Sequence, residues 1–359
     1  MLAAGIRPAT CVAAKWEPPD GKVLLFIGQD RESIEGYVTS MGHMPAGIMQ
    51  YANIGDLGSL KGAADYGAGF QDMPYWVSRR PQVALQIGLY LVKQLDPINA
   101  GGLDANIDEM AALLRDTRRP VFLRIGYEFD SDWAGYEPVA YRKAFQRIVE
   151  RFRTAQAANV AFVWHSWGYN YSFGRTGPED WYPGDAYVDW CALSIFSPWN
   201  DVTRAWMGRS RANMIEFSKR HGKPLMLAEA STKLAEQPSL GEKSWTDWFE
   251  PFFHFADSSG AKAISYINAD WDAQPLWQGK GWGDSRIQNN DLVKRNWLLE
   301  ISRPRYLLAS DSLEDILGSG ADGIRIRREN QAPGPRLPAA GARDWLGRLL
   351  LGRLLKTLP

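Results

Sequence analysis

Val121-Phe-Leu-Arg-Ile-Gly-Tyr-Glu128-Phe-Asp130 follows a proline, runs mostly apolar and then reaches a glutamate. Further along, Pro224-Leu-Met-Leu-Ala-Glu229-Ala-Ser231 repeats the arrangement. Short apolar runs of this kind read as buried parallel strands. In a parallel α/β protein, the carboxyl ends of the strands are where chemistry is placed. A carboxylate after an apolar strand costs free energy unless it is paired or used. Two such glutamates can face one another across one cleft, which is the equipment of retaining glycoside cleavage: one acid/base and one nucleophile.

Working outward from these two segments, eight strand-like runs occur in the first 300 or so residues. They are Val23–Ile27, Ala46–Tyr51, Val83–Leu89, Val121–Ile125, Val160–Trp164, Trp190–Phe196, Leu225–Ala228 and Ala263–Ile267. Helical stretches separate several of them. In Tyr141–Phe152 the apolar residues Tyr141, Phe145, Ile148, Val149 and Phe152 share one helix face. Asp104–Arg115, Ala212–Arg220 and Trp245–Ser259 continue the helix-then-strand order. Eight strands alternating with helices predict an α/β fold, a (β/α)8 TIM barrel. An open doubly wound sheet would carry a glycine-rich phosphate loop after strand one, and Phe26-Ile-Gly-Gln-Asp30 has no such loop. Strands four and seven stand roughly opposite in an eight-stranded barrel, so Glu128 and Glu229 are expected to converge over its mouth.

The organisation expected is an N-terminal segment 1–19, a barrel 20–302 and a C-terminal extension 303–359. The segment 322–341 is rich in Arg, Pro, Gly and Ala and reads as linker. After it, Trp345-Leu-Gly-Arg-Leu-Leu-Leu-Gly-Arg-Leu-Leu-Lys356 is a short basic, leucine-rich helix candidate, with packing on its own domain or disorder the expectation and membrane-surface contact the alternative. No run reaches the length of a membrane span. The start is apolar but broken by Arg7 and Pro8, a poor signal peptide as it stands. Cys11 and Cys191 are too few for a disulfide framework. Forty-one basic residues balance forty-one acidic ones, which gives no electrostatic argument for nucleic acid or an anionic membrane, and no nucleic-acid partner is expected. Sixteen tryptophans, many beside predicted loops, suit the CH-rich faces of sugars.

These segments resemble clan A of the retaining glycoside hydrolases, and within it glycoside hydrolase family 26: β-mannanases, with some β-1,3-xylanases and mixed-linkage β-glucanases. That family's strand-four motif runs Arg-Pro-Leu-His-Glu-Met-Asn-Gly-x-Trp. Here it reads Arg124-Ile-Gly-Tyr127-Glu128-Phe-Asp130-Ser-Asp132-Trp133. Leu24-Leu-Phe-Ile-Gly28, Pro45–Tyr51 and Val188-Asp-Trp190 are similar to other strand segments of the family. The resemblance covers roughly residues 20–300. It implies Glu128 as general acid/base, Glu229 as nucleophile, Arg124 holding a carboxylate from beneath, Trp133 lining a subsite and Trp271 flooring the sugar being cleaved. It implies a polysaccharide or oligosaccharide substrate, and a secreted or periplasmic protein. The chain departs from the family where Tyr127 replaces its histidine, Asp130 its asparagine, and Phe196 the strand-six tyrosine that orients the nucleophile. His165, Tyr169 and Tyr266 are the candidates to supply the missing hydrogen bonds. Arg124, Arg175 and Arg286 could form a basic cluster for an acidic glycan.

The two-glutamate mechanism needs no cofactor and no metal. Two rival readings follow from the departures. One is a carbohydrate-binding barrel that no longer catalyses. The other is a metal-dependent isomerase or lyase using Asp130 and Asp132 beside Glu128.

Overall fold

The computed structural model describes residues 14–80, 82–168, 177–196, 204–310 and 312–318, with the backbone alone for 204–209. Eight parallel strands form the sheet: β1 (Val23–Gly28), β2 (Gly47–Asn53), β3 (Ala84–Tyr90), β4 (Val121–Ile125), β5 (Val160–Ser166), β6 (Trp190–Ile195), β7 (Leu225–Ala230) and β8 (Ala263–Ile267). Each pairs with the next in sequence, and β8 pairs back onto β1 from Leu24↔Ala263 to Gly28↔Ile267. The sheet is therefore a closed (β/α)8 barrel with no edge strand among its eight. Helices such as Asp104–Asp116, Pro138–Thr154, Arg204–Arg220 and Glu250–Ser259 follow the strands.

Strand alternation sorts each strand into two layers. Leu25, Ile48, Leu85, Leu123, Phe162, Cys191, Leu227 and Ile264 face the helices. Leu24, Phe26, Ala84, Phe122, Ala161, Val163, Trp190, Ala192, Met226, Ala228 and Ala263 fill the barrel. Large rings meet small residues there: Phe122 lies edge-on to Phe26 and to Trp190, with centroids 5.4 Å apart in both pairs. One level higher the filling turns polar. Gln86 on β3 donates to Ala228 O (2.9 Å) and accepts from Ser265 Oγ on β8 (2.8 Å). Above that layer lie Tyr51, Arg124, His165, Ser194 and Glu229.

Glu229 reaches that layer through an irregularity. Leu193 pairs with Leu227, but Ser194 pairs with Glu229, so β7 carries one extra residue between β6 partners. Without it, Glu229 would share the parity of Leu225 and Leu227 and face the helices. The bulge exchanges the faces, so Glu229 points in and Ala230 joins the outer core.

Both chain segments flanking the barrel pack on its lower end. Trp16 donates to Asn159 O (2.8 Å), and Lys15 to Val160 O (2.8 Å). Beyond residue 302 a two-residue strand, β9 (Tyr306–Leu307), pairs in parallel with Val23 and Leu24. The helix Leu313–Gly318 then places Leu313 and Leu317 in the interior cluster with Leu24 and Phe26. The chain thus stays with the barrel past the boundary expected at 302. The candidate linker and basic helix lie outside the described residues, as do residues 1–13 with Cys11.

Gly47 shows how tightly the interior is filled. A Cβ there would stand 2.2 Å from Phe26 Cε1 and 3.0 Å from Ala84 O. Gly47→Ala is expected to cost about 1–3 kcal/mol by overpacking, read as a lowered midpoint in chemical denaturation with an unchanged slope.

Candidate active site

The β4 strand ends at Ile125 and the chain turns sharply through Gly126 and Glu128, with φ of 56° and 53°. Glu128 is thus three residues past the strand rather than on its last residue. A left-handed backbone is uncommon for a glutamate, and such conformations cluster at functional sites. The turn lays the carboxyl group over the mouth, where Ser194 Oγ donates to Oε1 (2.5 Å) and Trp133 Nε1 donates to Oε2 (2.9 Å).

Glu229 meets a different environment. Arg124, fully buried on β4, forms an ion pair through Nη1 with its Oε1. Tyr51, from β2, donates its hydroxyl proton to the same oxygen (2.8 Å). The Arg124 guanidinium lies 5.2 Å from the Tyr51 ring centroid and 5.4 Å from that of Tyr127, so two aromatic rings flank the cation. Gly88 on β3 leaves the room: a Cβ there would be 2.6 Å from Tyr51 Cδ1 and 2.7 Å from Arg124 Nη2.

His165 connects the two carboxylates. Its Nδ1 lies 3.3 Å from Arg124 Nη1, and its Nε2 lies 3.0 Å from Ser194 Oγ. Arginine can only donate, so Nδ1 accepts and Nε2 carries the proton. Nε2–H then donates to Ser194, which frees the serine proton for Glu128. Burial, with the Arg124 charge, holds the imidazole well below its usual titration range, so the ring is neutral. The result is one continuous chain: Tyr51, Glu229, Arg124, His165, Ser194, Glu128.

Glu128 titrates far above the ordinary carboxyl range. Burial is the larger cause and the negative charge of Glu229 the next, opposed by the hydrogen bonds from Ser194 and Trp133. A carboxyl group raised in this way stays protonated where an ordinary one has ionised, the state in which it can give up a proton. Asp130 serves a structural end. It accepts from Ser166 Oγ (2.8 Å) and Trp167 N (2.6 Å), pinning the turn after β5, and burial raises its pKa to about 6. Among the described residues no group of three or more His, Cys, Asp or Glu is arranged to hold a metal ion.

The remaining expected residues divide. Trp133 is 45% exposed beside Glu128 and stacks on Tyr90, with centroids 6.3 Å apart and an interplanar angle of 11°. Tyr127 packs between Trp133 and Tyr51. Phe196 and Trp271 sit on the other side in an apolar cluster with Met49, Ile267 and Ala269, which Trp277 and Trp282 border. Trp271 Nε1 donates to Ser231 Oγ (3.0 Å), and its ring is 4.9 Å from that of Trp282. Phe196 meets Trp282 edge to face at 5.1 Å.

Tyr266 does not belong to the site. It sits at outward parity on β8, between the inward Ser265 and Ile267, packs among Trp248, Phe249 and Trp297, and donates to Ser285 O (2.7 Å). The expected basic cluster does not form from its described members either. Arg124 is spent on Glu229, and Arg286 is tied to Asp284 and Asp270. Tyr169 and Arg175 lie outside the described residues. Sequence reading missed Tyr51 and Ser194; each is a lone hydroxyl near the carboxyl end of an apolar strand, at inward parity.

A closed parallel barrel with a buried acid and an arginine-paired carboxylate over its mouth has the layout of a glycoside hydrolase. The family model described as glycosyl hydrolase family 26 matches residues 88–271, a span that holds both glutamates. The chain is 34% identical over 336 residues to the β-1,3-xylanase TXYA of a Vibrio species, covering 85% of this chain and 70% of that one. It is 32% identical over 335 residues to a β-1,3-xylanase of an Alcaligenes species, covering 85% and 69%. Among solved structures, a family 26 β-mannanase from Bacteroides ovatus shares the fold with a TM-score of 0.57 at 13% identity, over 82% of this chain and 92% of that one. The chain belongs to glycosyl hydrolase family 26, and it is a glycoside hydrolase.

Two outcomes test this geometry. In Glu229→Gln, the Glu128 carboxyl should titrate at lower pH than in the native protein, because a neighbouring negative charge has gone; carbon-13 NMR of labelled glutamate reads the change. Gly88→Ala should lower kcat at least about tenfold by displacing Tyr51 and Arg124, since a misplacement near 1 Å can cost about 100-fold. Far-ultraviolet circular dichroism should stay native.

Proposed function

We propose that the chain is a retaining endo-β-glycanase acting on β-1,3-linked xylan. The observation that carries the mechanism is the unequal pair: Glu229 held against a buried arginine, and Glu128 kept protonated by burial and by that neighbour's charge. The substrate rests on the two β-1,3-xylanases, whose similarity runs over most of this chain. The apolar wall supports it, since half-buried Trp282, backed by the buried rings of Phe196 and Trp271, suits the CH face of a neutral sugar, and Arg286 is tied to Asp284 and Asp270.

The Glu229 carboxylate attacks the anomeric carbon as Glu128 gives its proton to the glycosidic oxygen. The leaving chain departs as an alcohol and the glycone stays esterified to Glu229. Glu128, now a carboxylate, takes a proton from water. The resulting attack on the anomeric carbon frees Glu229 and restores the acid. Tyr51 and Arg124 support this cycle by holding one oxygen of Glu229 in place, so that the other faces the sugar. Tyr51 thereby supplies from β2 the hydroxyl that Phe196 lacks. Ser194 holds Glu128 in both protonation states, because its hydroxyl can donate or accept.

The alternative of a barrel that binds glycans without cleaving them predicts binding with no product. Incubation with β-1,3-xylan, β-1,4-xylan, β-mannan and mixed-linkage β-glucan, followed by mass analysis and NMR of the first-formed anomer, separates the two. Short β-1,3-xylo-oligosaccharides with retained β configuration are expected. An initial α anomer, or no product from any polymer, overturns the reading. Glu229→Ala should lose at least about 10⁴-fold in kcat, the scale at which loss of a nucleophile registers. Glu128→Ala should lose far less on aryl glycosides with good leaving groups, which need little protonation.

A further inference from the structure

Lys233 lies four residues beyond Glu229, just past β7. The loops after β7 and β8 are joined around it. Leu234 N donates to Gly281 O (3.3 Å) and Asp284 N to Gln237 Oε1 (3.2 Å), while Trp271 N to Gly283 O (3.1 Å) closes the second loop on itself. These bonds set Lys233 beside Trp282, with Nζ 4.6 Å from the ring centroid. Trp282 in turn leans on Trp271 and Phe196. The ammonium therefore stands on the apolar wall of the cleft, in Coulombic reach of Glu128 across the mouth and of Glu236 on its own loop.

A lysine head carries three donors. Among the described residues the Lys233 ammonium has no hydrogen-bond acceptor and no ion pair within contact distance; the Trp282 face is its one close partner. The group is half-buried, and burial is the main cause that lowers its pKa. A partly desolvated cation with idle donors, braced by two tied loops beside a catalytic acid, has an unmet demand for oxygen acceptors. Sugar hydroxyls are the acceptors that an active-site cleft of this class receives.

We propose that Lys233 is a substrate-binding residue: its ammonium, steadied on Trp282, hydrogen-bonds the hydroxyls of the sugar unit beside Glu128. The inference rests on the β-1,3-xylanase reading for the identity of the sugar. It assigns the cleft's apolar wall a polar anchor, so that ring stacking sets the plane of the sugar and Lys233 sets its rotation within that plane.

The test compares Glu229→Ala with Glu229→Ala/Lys233→Met and Glu229→Ala/Lys233→Arg, titrated calorimetrically with β-1,3-xylotetraose. Methionine keeps the stem on Trp282 and removes the donors; arginine keeps the donors. Affinity should fall at least about tenfold with methionine, in keeping with a hydrogen bond to a charged group, and recover most of that loss with arginine. In the otherwise native enzyme, Lys233→Met should raise KM on the same oligosaccharide while the melting temperature holds. The alkaline limb of kcat/KM should move up, because a cation facing Glu128 has been removed while Glu229, Asp130 and Glu236 remain. Unchanged affinity in the methionine variant, with native enzyme still cleaving β-1,3-xylan, overturns the assignment of Lys233 alone. Native enzyme that releases nothing from any β-glycan overturns both readings.

Discussion

A single buried cation organises this active site. The Arg124 guanidinium is fully enclosed, and a buried charge is tolerated only when it is paired. Its Nε and Nη2 have no hydrogen-bond partner among the described residues, which leaves Nη1 and its contact with Glu229 as the principal compensation. The choices around it follow. β3 supplies a glycine because the cation and Tyr51 occupy the space of a side chain. β2 and the turn after β4 supply tyrosine rings whose faces meet the charge. β5 supplies an imidazole that stays neutral there and accepts a hydrogen bond. Removing Glu229 outright would leave the charge bare, at a cost of about 3–5 kcal/mol. Stability and chemistry are thus joined in one ion pair.

The cleft has two unlike sides. Strands β2, β4, β5 and β7, with Ser194 on β6, contribute ionised and hydrogen-bonding groups, whereas the wall formed just past β6 and in the loop after β8 is built of Phe196, Trp271 and Trp282. A sugar ring has the same duality, with CH-rich faces and a polar rim. Phe196 reads naturally in this setting. The wall needs an apolar edge against Trp282, and the hydroxyl that donates to Glu229 comes from the opposite side of the barrel. Asp130 is the anchor of the turn after β5.

The barrel was legible because buried parallel strands advertise themselves as apolar runs, and all eight runs fall on observed strands. Arg124, Glu128 and Trp133 were legible because they keep a recognisable spacing. What escaped was parity. Tyr51 and Ser194 sit within runs that look like core, and only counting inward and outward positions reveals that each faces the mouth. Tyr266 was expected in the site from its place near a strand end, and the same count assigns it to the outer layer. Glu229 resists even that count, since the bulge in β7 inverts its face and no residue type marks the bulge. The carboxyl extension was misjudged for a related reason: Leu313 and Leu317 are two modest apolar residues whose value comes from plugging a barrel end far away in sequence.

That bulge makes the facing of Glu229 depend on backbone register more than on residue identity. Met226, Leu227 and Ala228 could exchange for other apolar residues of similar volume with modest effect. An unbulged strand of the same length would turn Glu229 out of the cleft and into the helical layer, whereas a strand one residue shorter would face it inward with no bulge at all. In this segment, side-chain identity is a continuous variable and backbone register a binary one.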